Sequence, residues 1–371
     1  MVNPQGQVLA LGADTRQRIS WSDRGKLYSL SPKEDLSDSA EFYLKAAEFL
    51  FKKKRLSPEV LLFDPHPLFA SKTLAPVLKE KYFAGAALLP VFHHVAHAAN
   101  FCIQNGAGRK FIAVTFDGTG FGADGNVWGG EFFVYEKNRL LRAAHFEYQR
   151  LLGNEAAILE PWRMAFSVLY KIYGKKIFGL RLKFLRNSPA KDLSLLAQMM
   201  DKDFNAPKTS SVGRLFDAVA VLVGLKTGVV KEAEAAVALE KKASLFRGKA
   251  HPYPFETRGE KGILIIRPAP MFKKMVEDIG RKRSHLEIAY RFHLTLAQML
   301  GVVCGRLGKK YNIRDVFLSG GVFMNNILTQ EAAKALARRG LIPHFAQRPM
   351  TTDLGISQGQ IVAYLMERIC V

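Results

Sequence analysis

The chain predicts an α/β fold of two similar lobes. Three observations carry this. A run of three strands opens the chain and a second such run opens near residue 111. Each run is followed by strand–helix pairs. Glycine-marked turns close three apolar runs, at Gly12, Asp117-Gly118 and Ser319-Gly320-Gly321. With 371 residues, 48% hydrophobic and 23% charged, the composition is that of a globular protein able to bury one large core or two.

The first lobe starts with strands at 7–12, 18–21 and 26–30, the last two separated by the turn Asp23-Arg24-Gly25. Asp38 caps a helix, with Glu41 three positions on, and Phe42, Ala46, Phe49 and Leu50 form its apolar face. Residues 60–63 are a buried strand ending at Asp64-Pro65-His66-Pro67. A helix at about 68–81, a strand at 88–91 and a histidine-bearing helix follow. The pattern then restarts with strands at 111–116, 130–135 and 140–146, turning at Asp124-Gly125 and Lys137-Asn138. A long helical region covers 156–242, jointed at Asn187-Ser188-Pro189 and 202–210. The Pro- and Gly-rich stretch 248–270 reads as an excursion around one apolar run, 262–266. A helix at 285–307, a strand at 315–318, a helix at 325–338 and a strand at 341–345 lead to a last helix, opened by Asp353 and reaching about 369.

This order matches, by analogy, the duplicated actin, sugar-kinase and heat-shock-ATPase architecture, with a nucleotide cleft between lobes. Residues 1–108 and 352–371 are expected to form lobe I, with the histidine helix and the C-terminal helix. Residues 109–351 are expected to form lobe II, with a helical insertion at about 150–280. A single doubly wound sheet is the rival, but it would alternate strand and helix throughout.

A net charge of +21 gathers in Lys52-Lys53-Lys54-Arg55, Lys175-Lys176, Lys241-Lys242 and Arg281-Lys282-Arg283. Such a field attracts nucleic acid, nucleotides or an acidic partner. The clusters are dispersed and show no aromatic-interleaved RNA-binding module, so charge alone does not choose. No apolar run is long enough to cross a bilayer, and Met1-Val2-Asn3-Pro4 lacks a signal-peptide pattern. Cys102, Cys304 and Cys370 are too few for a disulfide framework, which fits a cytoplasmic location. Cys370 reads as a reactive thiol or, preferably, a spectator.

His93 and His97 are four residues apart, which on a helix places two imidazoles on one face where they can share a cation. Packed or capping histidines are the bland alternative. The run 111–116 ends in Asp117-Gly118-Thr119-Gly120, and a carboxylate followed by glycines can supply a third ligand and a phosphate cradle. Three glycine turns after strands, in a duplicated fold, point to nucleotide binding. Asp353 caps the last helix or, in a two-lobed cleft, completes a site of two histidines and two carboxylates suited to Fe(II) or Zn(II). Asp217 lies on an apolar helix and needs donors. Ribose hydroxyls and a salt bridge to Arg214 are equally open.

Together these segments resemble one family. They are Asp64-Pro65-His66-Pro67, His93-His94-Val95-Ala96-His97, Asp117-Gly118-Thr119-Gly120 through Gly125, Trp128-Gly129-Gly130-Glu131, Glu160-Pro161-Trp162-Arg163, 213–220 and Ser319-Gly320-Gly321 through Asn325. The set is similar, over nearly the whole chain, to the C-terminal carbamoyl-transferring domain of the hydrogenase-maturation carbamoyltransferase HypF. That domain is related to the tRNA threonylcarbamoyltransferases and to antibiotic O-carbamoyltransferases. The resemblance implies metal ligation by His93, His97, Asp117 and Asp353, as the catalytic centre. It implies nucleotide contacts, to ATP, AMP or carbamoyl-adenylate, from Asp117, Gly118, Thr119, Gly213, Asp217, Gly320, Gly321 and Asn325. It implies a HypE-like acceptor whose C-terminal cysteine takes the carbamoyl group.

Two departures qualify this. The acylphosphatase, zinc-finger and YrdC-like adenylating regions of HypF have no counterpart in these residues, so a separate YrdC-like protein is expected to supply carbamoyl-adenylate. Ala233 stands where the family tends to have glycine, and Leu354 where HypF more often has a second glycine. The alternatives are a tRNA-modifying transferase, suggested by the charge but lacking the His-x-Glu-Gly-His pattern, a small-molecule O-carbamoyltransferase, and a non-catalytic nucleotide-binding scaffold.

Overall fold

The computed structural model describes residues 6–32, 38–105, 110–225, 228–230 and 233–366. Cys370 and the Lys231-Glu232 pair lie outside the described residues.

Lobe I contains β1 (Val8–Ala10), β2 (Ile19–Asp23), β3 (Lys26–Leu30), α1 (Ser39–Lys54), β4 (Val60–Phe63), α2 (Ala70–Tyr82), β5 (Ala87–Pro90) and α3 (His93–Ala99). Its sheet runs β3-β2-β1-β4-β5, with β1 antiparallel to β2 and parallel to β4. Lobe II opens with β6 (Phe111–Phe116), β7 (Gly130–Glu136) and β8 (Arg139–Phe146). Its sheet continues from β6 through the strands Asp315–Ser319 and Ile342–Phe345, both parallel to it. The two halves therefore share one strand order and one set of directions, so the duplication is topological and the doubly wound rival is excluded.

Local chemistry fixes the pieces. Asp38 accepts from the N–H groups of Ala40 and Glu41, closing the start of α1. Phe42, Ala46 and Leu50 are buried as expected, but Phe49 is exposed. Tyr43 and Ala47 complete the buried stripe instead, because residue 49 falls at its edge on a 3.6-residue turn. Lys137 and Asn138 both have positive φ, which matches the β7–β8 hairpin to the twist of its strands.

The stretch 248–270 is more than an excursion. Ile263–Arg267 pairs parallel with β8, and Glu256–Glu260 pairs antiparallel outside it, giving lobe II a seven-stranded sheet. The helix Ala269–Gly280 follows, within the bounds expected for the helical insertion. The last helix is seen over Ile356–Leu365.

A central cluster joins the lobes. Val8 and Ala10 from lobe I, Val95 from α3, Phe111 and Ala113 from β6, and Ile356 and Ile361 from the last helix are all buried in it. The last helix crosses α3 at Gly359, where an added Cβ would lie 2.1 Å from the carbonyl oxygen of Ala96. Only glycine allows that approach. Since β1, β4 and β5 run parallel, as do β6 and Asp315–Ser319, the chain segments leaving these strands gather at the cleft.

Candidate functional site

Four side chains from three places in the fold meet between the lobes. His93 and His97 come from α3, Asp117 from the end of β6, and Asp353 from the turn Asp353–Gly355 before the last helix. Their ligand atoms all lie within 4.8 Å of one another. His97 Nε2 is 3.2 Å from Asp117 Oδ2 and 3.6 Å from Asp353 Oδ1. His93 Nε2 is 3.4 Å from Asp353 Oδ1 and 4.0 Å from Asp117 Oδ2. Both Nε2 atoms are buried with no hydrogen-bond partner. Buried polar atoms are ordinarily paired, so two orphan nitrogens facing two carboxylates fit a cation.

The surroundings orient this set. His93 Nδ1 lies 3.0 Å from Asp64 Oδ2, a fully buried carboxylate at the end of β4. His97 Nδ1 lies 3.2 Å from the hydroxyl of Ser319. Such partners turn each ring so that Nε2 faces inward. The N–H groups of Gly118 and Gly321 donate to the Asp117 carboxylate at 2.8 and 3.2 Å. Thr15 donates its hydroxyl to Asp353. Asp353 makes no capping bond to the last helix, so its bland role is absent.

Electrostatics follow from this crowding. Burial pulls the His93 and His97 imidazoles toward neutrality. The carboxylates outweigh it, Asp353 and Asp64 at His93, Asp117 and Asp353 at His97, and both pKa values rise. Burial pushes the Asp353 carboxyl up, but His93 and His97 hold it well below the usual range. His94 faces the other way. Burial first, then His93, His97 and Arg142, keep its ring neutral.

A cavity of about 510 Å³ meets the cluster at Asp117 and Asp353. Asp117, Gly118, Thr119, Gly213, Asp217, Gly321, Asn325 and Asp353 all line it. Gly320 does not. Its φ of +101° and the approach of a Cβ to within 2.3 Å of the Phe116 carbonyl oxygen show a backbone role. Gly213 lets the helix Val212–Leu222 close onto the Asp117-Gly118 turn, where a Cβ would lie 2.8 Å from Gly118 Cα. Asp217 has its ion pair, with Arg214 Nη1 at 2.8 Å, and also faces the cavity. Burial raises its pKa and Arg214 partly offsets that. Asn325 faces the cavity, but its oxygen caps the helix Asn326–Ala337 and its nitrogen meets His293.

The sequence assigned no role to Thr15, Arg16, Asp64 or Ser319, although Asp64 and Ser319 stand in the motifs that carry the resemblance. Arg16 is exposed on the lobe I wall of the cavity. Asp64 carried a usable signal, since it follows a buried strand as Asp117 does. A second network braces the Asp117 loop. Buried Glu131 accepts from Arg142 Nε at 2.6 Å and from Ser210, while the hydroxyl of Ser211 donates to the Asp117 carbonyl at 2.7 Å. The Arg142 guanidinium lies 3.9 Å from the centre of the Trp128 ring.

Fold and site together define a two-lobed α/β protein with a His₂Asp₂ cluster beside a glycine-lined cleft. Comparisons with known proteins give the family. The model described as "Carbamoyltransferase, Kae1-like Domain, second subdomain" matches residues 113–360, and the "HypF Kae1-like domain" matches 3–104. The chain belongs to this family of HypF Kae1-like carbamoyltransferase domains.

Among its relatives, the probable carbamoyltransferase HypF of Methanocaldococcus jannaschii is 31% identical over 99% of this chain and 47% of its own length. A carbamoyltransferase HypF homolog of Cupriavidus necator is 30% identical over 88% of this chain and 83% of its own length. A crystal structure of full-length HypF in the phosphate- and nucleotide-bound form matches with a TM-score of 0.88 at 28% identity, over 97% of this chain and 46% of that one. The chain thus spans about half the length of most curated relatives it matches. Among the described residues no helix is long and apolar enough to cross a membrane.

Proposed function

We propose that the cleft holds a divalent cation and an adenine nucleotide, and that the chain transfers a carbamoyl group from carbamoyl-adenylate to the C-terminal cysteine of a HypE-like acceptor. The observation that carries this is the pair of buried, unpartnered Nε2 atoms facing Asp117 and Asp353 at the mouth of the cavity.

His93 and His97 would hold the cation through Nε2, with Asp117 and Asp353 completing the set. Imidazole and carboxylate donors suit Fe(II) or Zn(II). When bound, the cation supplies Lewis acidity toward a ligand oxygen. Asp64 and Ser319 keep both rings in register, and the Gly118 and Gly321 donors fix the Asp117 carboxylate. Arg16 and Asp217 both line the cavity, where they would meet the phosphate and the ribose of a bound nucleotide. In the transfer, a carbon–sulfur bond forms at the carbamoyl carbon and the carbon–oxygen bond to the phosphate breaks. AMP leaves and the thiol proton passes to solvent. A YrdC-like adenylating unit is the proposed source of the adenylate.

The test supplies purified protein with Zn(II) or Fe(II), carbamoyl-adenylate and an acceptor peptide ending in cysteine, and reads the peptide's mass. The expected result is a gain of one carbamoyl group, lost in His97→Ala. Asp64→Asn is expected to weaken metal affinity, measured calorimetrically, by about 10–100-fold, as loss of an orienting partner does. Absence of metal binding would refute the site. Transfer failing with metal and nucleotide both bound would refute the reaction. The charge of +21 supports a second acceptor, tRNA. Salt-sensitive tRNA binding followed by threonylcarbamoyl modification of the tRNA, with no transfer to the peptide, would favour it.

A further inference from the structure

The basic run at the end of α1 meets Lys81 and the aromatic pair at the end of α2. Helices α1 and α2 return from the cleft and end side by side, at the edge of lobe I where β4 and β5 begin. The ring of Phe51 lies 5.7 Å from that of Tyr82 and 6.3 Å from that of Phe83. Between them is a cavity of about 300 Å³, lined by these rings, Arg55, Pro58 and Gly85. Phe51 is 44% exposed. Lys81 places its ammonium 5.2 Å from the centre of the Tyr82 ring. Arg55 lines the same cavity, and Lys52, Lys53 and Lys54 are exposed on the turn of α1 just before it.

Arg55 ends α1 in the left-handed conformation, where helices commonly use glycine, and its N–H closes onto Leu50. Of the carboxylates on this face, Glu48 is paired with Lys52 at 2.6 Å, and Glu59 and Glu80 are exposed. Cations at a helix C-terminus compensate its dipole. That accounts for the lysines, but not for the exposed ring of Phe51 and the half-exposed ring of Tyr82 beside a cavity, Phe83 itself being buried.

We infer that this end of lobe I is a docking surface for single-stranded nucleic acid. Rings offer stacking faces to bases, and the flanking lysines and arginine offer cations to successive phosphates. An acidic peptide would use the cations and leave the rings idle. The surface is separate from the cleft. The lobe I sheet stands between them, with β4 running from Val60 at this edge to Asp64 at the site, and β5 from Ala87 toward His93.

The test measures fluorescence anisotropy of a labelled oligouridylate with the full chain across salt concentrations, with polyglutamate as the acidic-polymer probe. Wild type is expected to bind the oligouridylate in a salt-dependent way. Replacing Lys52, Lys53 and Lys54 together by alanine should shallow the log affinity–log salt slope by about 2, since each phosphate contact adds roughly 0.7 for single strands. Phe51→Ala and Tyr82→Ala should each weaken binding about tenfold with the slope unchanged, and Tyr82→Phe should retain it. Metal binding at the cleft should not move in any of these variants. If a ring variant fails to fold, the exposed lysine triple still decides through the slope. No oligouridylate binding at low salt, or ring variants that change nothing, would overturn the inference. Polyglutamate bound as tightly as RNA would also overturn it and make this a face for an acidic protein.

Discussion

His293 shows how a single buried ring sets the chemistry of its neighbour. Its Nδ1 faces the Ala289 carbonyl at 2.8 Å, and its Nε2 lies 3.0 Å from the Asn325 amide nitrogen. The ring is therefore neutral, donating at Nδ1 and accepting at Nε2. That leaves the Asn325 oxygen to cap Leu328 N–H. Burial pushes the His293 pKa down to about 4, below the ordinary 6.5. A depressed histidine favours the folded state at pH above 6.5, and that contribution disappears as pH falls toward 4. The expected loss is on the order of 3 kcal/mol by pH 4, read from urea midpoints, and His293→Phe should flatten it. In the sequence Asn325 stood out as a nucleotide contact. Its commitment to His293 was illegible there, because the two are far apart in the chain. Ala233 adopts φ +65°, a conformation that favours glycine and costs alanine about 1 kcal/mol, so the structure gives a backbone reason for the glycine expected there.

At the scale of elements, the crossing of α3 and the last helix decides whether the four side chains meet. Gly359 permits that crossing, and a methyl there would meet backbone at 2.1 Å. Gly359→Ala should destabilise the fold by about 1–3 kcal/mol and reduce metal affinity at the same time, since Asp353 moves with the helix. Urea unfolding and calorimetric metal titration check both. Most elements were readable in order. Strands such as Phe111–Phe116 are uninterrupted apolar runs closed by glycine turns, and Asp38 announces α1. The hairpin Glu256–Arg267 was not readable as part of the sheet. Its apolar run says that a strand exists, but the edge it joins is chosen by β8. The juncture at Gly359 was hidden too, since a glycine inside a helix looks the same whether it faces solvent or another backbone.

At the scale of the molecule, each lobe carries the same strand order, and a shared apolar cluster locks them together through Phe111, Ala113, Val95, Ile356 and Ile361. The sequence revealed this duplication because both halves repeat the three-strand start. It did not reveal how the cluster is shared, which depends on residues from both halves meeting. A variant ending at Thr352 removes Asp353 and the helix covering that cluster. It should lose metal binding, show a lowered thermal midpoint and bind a hydrophobic dye, whereas removal of the metal from the intact chain should leave the dye unbound.

The arrangement of lobe I has a consequence for how the protein is made. Its sheet is built from residues 8–90, yet the helix Ile356–Leu365 that packs into the shared cluster follows only after the whole of lobe II in the chain. A nascent chain emerging from the ribosome therefore carries two imidazoles and one carboxylate before the fourth donor exists. If the cleft holds a cation, as proposed, its four donors can come together only once Asp353 has been made.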